Sequence, residues 1–285
     1  MKSGFLLIDK DKDWTSFDVV KKIRNITQIK KVGHIGTLDP FATGLLILLF
    51  NQATSFSQYI IDNDKEYLVK SQFDIMTDTG DITGKIINTE NSPTPITKKQ
   101  FEEKINLIKN ISSQTPPKYS AIKVNGEKAY KMAYKGKDIV LPERNFEIIS
   151  FEFLGIDYPY FIWKAKVSKG TYIRTLTEQI AELFGKIATT VELRRLKIGS
   201  FDVSNSIKIN QIDTDIKLLQ PDLLLDDFEK ITLNIDEERK FIHGQNFTIF
   251  HHDTAKLRVY NHKNDFKGLA TINNNILHAI RVLND

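Results

Sequence analysis

The sequence has 285 residues, of which 41% are hydrophobic and 27% charged, with a formal net charge of +4. This composition is typical of a soluble globular protein with one large or two unequal domains. The absence of cysteine excludes disulfides and thiolate metal sites. No signal peptide is evident, and the longest apolar run, residues 45–50, is too short to span a bilayer. We therefore expect a cytoplasmic protein.

Apolar periodicity and capping residues predict strands and helices in an irregular order. The predicted strands are residues 3–8, 45–50, 66–73, 119–124, 144–153, 160–168 and about 190–199, with an Asn125-Gly126 turn. Three helices are predicted. The first has Ser16 as its N-cap, and the second covers 98–109 after a Thr97–Gln100 capping box. The third covers 172–184, with Thr171 as its cap and Gly185 at its end. Because these elements do not repeat as β-α-β units, the pattern predicts an α+β fold. Its central sheet should be mixed, mainly antiparallel and flanked by helices.

The composition changes near residues 220–230. Residues 202–238 hold ten acids and three bases. Short β-like segments follow at 231–235, 247–250, 256–260 and 267–271. The pattern predicts a large domain over residues 1–228 and a small β-rich domain over residues 229–285.

Positive charge is concentrated in three clusters. Residues 19–38 carry five bases and no acid, residues 118–137 carry six lysines with three tyrosines interleaved, and the third cluster is Arg194, Arg195 and Lys197. Lysines that contact phosphates and rings that stack on bases are features of RNA-binding surfaces. Each cluster taken separately is equally typical of a solvated charged face.

Residues 33–44, Gly-His-Ile-Gly-Thr-Leu-Asp-Pro-Phe-Ala-Thr-Gly, contain a single acid, Asp39. Pro40 restricts Asp39 to extended backbone conformations. Since the loop precedes a predicted buried strand, its carboxylate would be held in place, as catalytic groups usually are. The alternative is that Asp39 only makes an Asx-type turn.

Short motifs follow one another in order through the first 200 residues. They are Gly4–Lys10, Trp14–Ser16, Val32–Pro40, Ala53-Thr54, Asp64–Tyr67, Thr77–Asp81, Pro116–Lys123, Ser168–Thr175 and Leu193–Leu196. Together they resemble the TruB family, the bacterial tRNA pseudouridine-55 synthases. The resemblance implies a pseudouridine synthase fold, an isomerase (an intramolecular transferase) and a tail similar to a PUA-type RNA-binding domain. It also implies action on the TΨC stem-loop of tRNA by a monomer, with no cofactor, guide RNA or membrane.

The resemblance also implies roles for individual residues. The catalytic residues would be Asp39 as the acting carboxylate, Arg174 as its partner and Tyr67 as a ring stacked on the flipped uracil. The substrate-binding residues would be His34, Asp81, Lys123, Tyr172 and Leu193. A nearby arginine would lower the pKa of Asp39 and keep it ionised. From the sequence alone, Arg174 also fits a helix surface, and Tyr67 and Leu193 also fit plain core positions.

No metal site is expected. His251 and His252 are adjacent, so they would point in opposite directions from a strand, and cysteine ligands are absent.

The sequence departs from the family pattern at three places. The family's Asp-Lys-Pro-x-Gly is Asp9–Asp13 here, with Asp at the Pro and Gly positions. The Gly-x-Ala-Thr-Lys block reads Asn51–Ser55, and the usual Leu-Gly before the Thr-Asp-Thr block is Phe73-Asp74. None of these changes falls on a proposed catalytic residue, although the RNA contact at position 55 is put in doubt.

Three other functions are open at this point. A guide-dependent relative would share the catalytic signature. An RNA-binding protein without catalysis would retain the basic clusters but need not keep Asp39, Tyr67 and Arg174 together. A nucleoside or glycoside hydrolase would release free base, and a retaining hydrolase would need a second carboxylate about 5 Å from the first.

Overall fold

The computed structural model describes residues 3–120, 122–124, 126–136 and 139–283. The strands are β1 (Gly4–Lys10), β2 (Val32–Ile35), β3 (Thr43–Phe50), β4 (Lys65–Phe73), β5 (Ile75–Thr77), β6 (Ile86–Thr89), β7 (Ser113–Gln114), β8 (Lys123–Val124), β9 (Glu127–Lys128), β10 (Arg144–Asn145), β11 (Ile148–Asp157), β12 (Tyr160–Val167), β13 (Ala188–Ile198), β14 (Phe201–Asp202), β15 (Ile207–Lys208), β16 (Glu229–Thr232), β17 (Phe247–Thr248), β18 (Thr254–Tyr260), β19 (Phe266–Asn273) and β20 (Ile276–Val282). The α-helices are α1 (Ser16–Thr27), α2 (Ser57–Ile60), α3 (Lys98–Glu103), α4 (Ile105–Lys109), α5 (Ala129–Tyr134), α6 (Ile173–Glu182) and α7 (Ile235–Ile242). Short 3-10 helices cover Asn51–Phe56, Val203–Asn205, Ile209–Gln211 and Pro221–Leu225.

A mixed sheet forms the centre of the molecule. Within the described residues it has nine strands in the order β11-β12-β4-β13-β3-β1-β15, with β14 beside β13 and β2 beside β3. The β1–β15 and β13–β3 pairs are parallel and the other pairs of this sheet are antiparallel. The predicted α+β fold with a mainly antiparallel sheet is therefore confirmed.

Strands β3 and β4 show why the sequence places these segments inside. From Gly44 to Phe50, β3 is buried throughout, because neighbouring strands and helices cover both of its faces. Strand β4 buries every second residue, as its alternating sequence predicts. The sequence pattern therefore predicts both strands that flank β13. For β4 it also predicts which face is buried.

Several predicted helix boundaries are wrong by one or two residues. Thr15, not Ser16, caps α1 and forms a capping box with Asp18. Helix α6 begins at Ile173 rather than at 172, and the Thr171 hydroxyl donates to the Ser168 carbonyl instead of capping it. The helix predicted over 98–109 is interrupted at Lys104. Of the strand predicted over 119–124, the described residues form only β8. Residue 121, and Asn125 of the predicted turn, lie outside the described residues.

The C-terminal part contains a five-stranded sheet in the order β16-β18-β19-β20-β17, counted over the described residues. Helix α7 and strand β20 were not predicted, although the Asn234–Glu237 capping box marks the start of α7. Leu269 and Leu283 pack in one cluster with Phe5 and Leu7 of β1, so this part rests on the central sheet. In the part of the chain that the structure describes, no helix is long and apolar enough to cross a membrane.

The departures from the family's glycines share one backbone feature. Asp13, Asn51 and Asp74 replace glycines of the family pattern, and their φ angles are 66°, 52° and 68°. Asp and Asn tolerate this left-handed region better than other residues with a side chain. These residues therefore keep the left-handed backbone conformation that glycine adopts easily.

We expect Gly44→Ala to lower the free energy of unfolding by about 3 kcal/mol or more. Gly44 has a φ of +103°, and an added Cβ would lie 2.2 Å from the Arg195 carbonyl oxygen, in the β3–β13 pairing. The control is Gly155→Ala, where an added Cβ meets no atom within 4 Å. Urea denaturation of both variants measures the effect. Equal stability of Gly44→Ala and wild type would contradict the close backbone approach.

Candidate active site

The loop that carries Asp39 is tied to the start of the chain by buried polar groups. The Leu38 amide donates to the buried Ser16 hydroxyl oxygen at 2.9 Å. Lys10, whose side chain is buried, donates to the Pro40 carbonyl at 3.2 Å and to the Trp14 carbonyl at 2.7 Å. These bonds fix the backbone on both sides of Asp39, so the direction of its carboxylate is determined before any ligand binds.

The carboxylate of Asp39 faces Arg174 at the start of α6. Arg174 Nε lies 2.9 Å from Asp39 Oδ2, and its Nη2 donates to Oδ1 at 3.2 Å. This is the bidentate geometry in which arginine binds a carboxylate most strongly. The Arg174 side chain is only 6% exposed, whereas that of Asp39 is 35% exposed. Arg174 is therefore not a surface arginine, and the exposed edge of the pair belongs to the acid.

Arg174 also joins three other segments to the site. Its Nη1 donates to the Thr79 carbonyl at 2.7 Å and its Nη2 to the Tyr119 carbonyl at 3.1 Å. Asp81 Oδ2 lies 3.7 Å from Nη1. Asp81 is buried, and its Oδ1 accepts from the Thr83 amide at 3.0 Å. The structure thus brings Asp39, Asp81 and Arg174 together, as the sequence motifs predict.

Burial and charge act in opposite directions on Asp39. Burial raises the pKa of Asp39 above its ordinary value, and the charge of Asp81 adds to this. Arg174 and Lys10 lower the same pKa, but burial outweighs them. Arg174 therefore lowers the Asp39 pKa as expected, but the net shift is upward because burial has the larger effect. The carboxylate is a stronger base than a solvated aspartate.

Lys10 is a second buried cation beside this loop. Burial lowers the pKa of Lys10 to about 8, and the nearby charge of Asp39 opposes the shift. Its ammonium group also donates to the Asp11 carbonyl at 3.0 Å. With three carbonyl partners, Lys10 serves as a positioning group for the Asp39 loop.

Tyr67 is linked to the same loop through Arg195. Tyr67 lies on β4 opposite Arg195 of β13, and the fully buried Arg195 side chain hydrogen-bonds to the Tyr67 hydroxyl. The guanidinium also donates to the Gly36 carbonyl at 2.8 Å and to the Leu45 carbonyl at 2.7 Å. Burial lowers the pKa of Arg195, while Tyr67 and Asp39 raise it. The Tyr67 ring is thus held in a fixed position near the Asp39 loop.

Leu193 and Tyr172 are two further residues that the family resemblance assigns to substrate binding. Leu193 packs in one cluster with Tyr67, Leu38 and Ile173, which is the core position that the sequence left open. Tyr172 precedes α6, and its amide donates to Gln114 Oε1 at 2.9 Å. Burial raises the pKa of Tyr172, and the charges of Arg174 and Asp39 act on it in opposite directions, so this hydroxyl also lies near the pair.

Of the two remaining substrate-binding residues, the structure describes the side chain of His34 but not that of Lys123. His34 on β2 is partly buried and lies 3.1 Å from the Thr37 hydroxyl. Burial lowers the His34 pKa, and the charge of Arg195 adds to this effect, which favours a neutral ring. Lys123 lies on β8, but its side chain is outside the described residues.

The three basic clusters of the sequence differ in the exposure and pairing of their side chains. In the first, Lys21, Lys22, Lys30 and Lys31 are exposed, and in the second, Lys118, Lys131 and Lys135 are exposed. The third is not a free positive surface. Arg195 is buried, Arg194 forms a bidentate pair with Asp9 at 2.9 and 2.8 Å, and Lys197 pairs with Asp202.

Glu178 is a group that the sequence motifs do not include. It lies one helical turn after Arg174, and its Oε1 would be 2.8 Å from a Cβ added to Gly80. Burial raises the pKa of Glu178 to about 7 against the opposing charge of Arg174. The four-residue spacing from Arg174 is the signal that places Glu178 on the same helix face.

The chain is similar to known proteins over most of its length. The model of the TruB family pseudouridylate synthase (N terminal domain) matches residues 24–173. A tRNA pseudouridine synthase B of Caldicellulosiruptor saccharolyticus is 40% identical over 246 residues, covering 86% of this chain and 84% of that one. The chain belongs to the TruB family.

Other relatives extend the similarity over the full length. A tRNA pseudouridine synthase B of Clostridium novyi is 35% identical and covers 99% of both chains. Among solved structures, a Cbf5-Nop10-Gar1 complex has a TM-score of 0.73 at 19% identity, covering 99% of this chain and 84% of that chain. An H/ACA RNP bound to a substrate RNA containing 2'-deoxyuridine has a TM-score of 0.70 at 19% identity, covering 99% and 85%. At this identity the two structures show a shared fold, and the predicted pseudouridine synthase fold is confirmed.

We expect Glu178→Gln to stabilise the protein in a pH-dependent way. Because the folded-state pKa of Glu178 is raised to about 7, the native state holds a proton that the unfolded state loses near pH 4.5. The stability of the wild type should therefore fall as the pH rises from about 4.5 to about 7, relative to the variant, and the difference should stay constant above pH 7. Urea denaturation at several pH values measures it. A difference that does not change with pH would contradict the assignment.

Proposed function

We propose that this protein converts uridine 55 in the TΨC loop of tRNA to pseudouridine, without a cofactor or a guide RNA. The observation that carries the proposal is the ion pair between Asp39, on its hydrogen-bonded loop, and the buried Arg174 of α6, in a chain of the TruB family. Relatives 35–40% identical to this chain bear the name tRNA pseudouridine synthase B. Proteins of the H/ACA RNP and Cbf5 complexes share only the fold, at 19–20% identity.

The reaction breaks the N1–C1′ bond of uridine, turns the uracil and joins C5 to C1′. The proton on C5 is lost and N1 gains one, so the product is an isomer of the substrate. A carboxylate can act as nucleophile or base at the sugar or the uracil. Asp39 fits this role because it is the partly exposed member of the pair, and its raised pKa makes it more basic. Arg174 stabilises its charge during the reaction.

Tyr67 and Leu193 are proposed to contact the flipped base. A stacked aromatic ring returns about 1–3 kcal/mol per base, which offsets part of the cost of unstacking. Because Arg195 holds the Tyr67 hydroxyl, the ring is positioned before the base enters. Tyr172, which lies near Arg174, is proposed to contact the base as well. His34, Asp81 and Lys123 complete the proposed substrate-binding set.

The detached uracil must stay in place while it turns, so the site has to exclude water. A glycoside hydrolase of the retaining type would need a second carboxyl group that donates a proton. Asp81 is the acid whose charge acts on Asp39, but its oxygens face the donors Thr83 and Arg174, an arrangement suited to an acceptor. This favours an isomerase over a hydrolase.

The exposed lysines of residues 19–38 and 118–137 are proposed to contact tRNA phosphates. Tyr119 belongs to the second segment and its carbonyl accepts from Arg174, so bound RNA on this surface would be next to the catalytic pair. We propose that residues 229–285 form a PUA-like domain that adds RNA contacts. The enzyme would act as a monomer in the cytoplasm, where its substrate tRNA is found.

We expect Asp39→Asn to bind tRNA nearly as well as the wild type and to form no detectable pseudouridine. The amide keeps the size of the side chain but removes the charge that the reaction needs. Purified protein is incubated with transcribed tRNA or its isolated stem-loop, without guide RNA, and the modified position is mapped.

Asp215→Asn is the matched control, because Asp215 is an exposed acid far along the chain from the site. It should retain full activity. Turnover by well-folded Asp39→Asn above trace levels would refute the role of Asp39. Wild-type activity that required an added guide RNA, or product that contained free uracil, would refute the proposed function.

A further inference from the structure

Three potential metal ligands meet on the C-terminal sheet, away from the proposed active site. Glu229 begins β16, and His251 and His252 lie in the loop between β17 and β18. One ligand atom from each lies within 4.8 Å of the other two. Because these two histidines lie in a loop, the alternation of side-chain directions along a strand does not apply to them. Their rings stack with centroids 4.3 Å apart.

The hydrogen bonds of His251 leave one ring nitrogen available. Its Nδ1 lies 3.0 Å from the His252 carbonyl oxygen. A carbonyl can only accept, so Nδ1 carries the proton and Nε2 keeps its lone pair. Histidines that bind metals usually donate their other N–H to a carbonyl in this way, which fixes the ring orientation.

Glu229 and His252 have a spacing close to that of two ligands of one metal ion. His252 Nε2 lies 3.0 Å from Glu229 Oε2. Two metal–ligand bonds of about 2.1 Å at the tetrahedral angle separate their donor atoms by about 3.4 Å, so these two atoms would move apart by about 0.4 Å around an ion. The Thr254 hydroxyl lies 3.3 Å from the same Glu229 oxygen and 3.2 Å from the His252 carbonyl oxygen, so its single proton has both as possible acceptors.

We propose that Glu229, His251 and His252 form a binding site for a Zn²⁺ ion. Two imidazoles and one carboxylate are a ligand set for zinc and related first-row metals, whereas Mg²⁺ and Ca²⁺ prefer oxygen ligands. The ion would join the β17–β18 loop to the edge strand β16. All three residues are at least partly exposed, so the ion can enter from solvent. Its role would be to stabilise the C-terminal sheet rather than to take part in uridine isomerisation.

The test is calorimetric titration of the full-length, metal-free protein with ZnCl₂ at pH 7.5 in the presence of millimolar MgCl₂. We expect one Zn²⁺ per chain and a rise in melting temperature on binding. Glu229→Gln, His251→Ala and His252→Ala should each weaken the binding about tenfold or more. The control His243→Ala changes an exposed histidine on the end of α7 and should bind zinc like the wild type.

Circular dichroism checks that each variant is folded, which is expected because the three side chains lie at the surface. Absence of zinc binding by the wild type would show that His252 and Glu229 form only an ion pair, and would overturn the proposal. Binding that is weakened equally by His243→Ala, or by none of the site variants, would overturn it as well, since the metal would then be bound elsewhere.

Discussion

The ion pair between Asp39 and Arg174 is the interaction on which the site depends. It joins residues 135 positions apart in the sequence, one on the loop before β3 and one at the start of α6. The pairing of β3 with β13 and the packing of α6 against the same sheet bring these elements together. The cost of burying a charge is offset only when good geometry and further hydrogen bonds accompany the pair. Arg174 meets this condition, because the carbonyls of Thr79 and Tyr119 accept its other N–H groups.

Buried cations that bind backbone carbonyls recur around the loop. Lys10 holds the Pro40 carbonyl, and Arg195 holds the carbonyls of Gly36 and Leu45. The Pro40 and Gly36 carbonyls lie in the loop between β2 and β3, and the Leu45 carbonyl lies on β3, so these cations tie the loop to the sheet. The same groups create the electrostatic environment of Asp39, in which burial raises the pKa and neighbouring cations lower it. Position and basicity of the carboxylate therefore have a common origin in the packing of these side chains.

Much of the central sheet could be predicted from sequence, because apolar runs such as 45–50 and alternation such as 66–73 reflect burial directly. The family was also predicted correctly from the motifs, and Asp39, Arg174 and Asp81 do lie together. Charge patterns were less informative, because sequence does not show which arginine is buried. Arg194 and Arg195 were counted as surface charge, yet one pairs with Asp9 and the other is enclosed. The sequence alone also did not explain why the family's glycines are replaced. The positive φ angles of Asp13, Asn51 and Asp74 show that these positions require a left-handed backbone conformation.

Arg174 opposes the effect of burial on the Asp39 pKa and so favours the ionised carboxylate. The pH dependence of single-turnover pseudouridine formation in Glu178→Gln and in Glu178→Gln with Arg174→Lys tests this role directly. The Glu178→Gln background removes a group with a pKa of about 7. Lysine keeps the charge but loses the two-point contact, so the pKa of Asp39 should rise further. The account predicts that the acid limb of the profile moves to higher pH in the Arg174→Lys protein. An acid limb with the same midpoint in both proteins would contradict it.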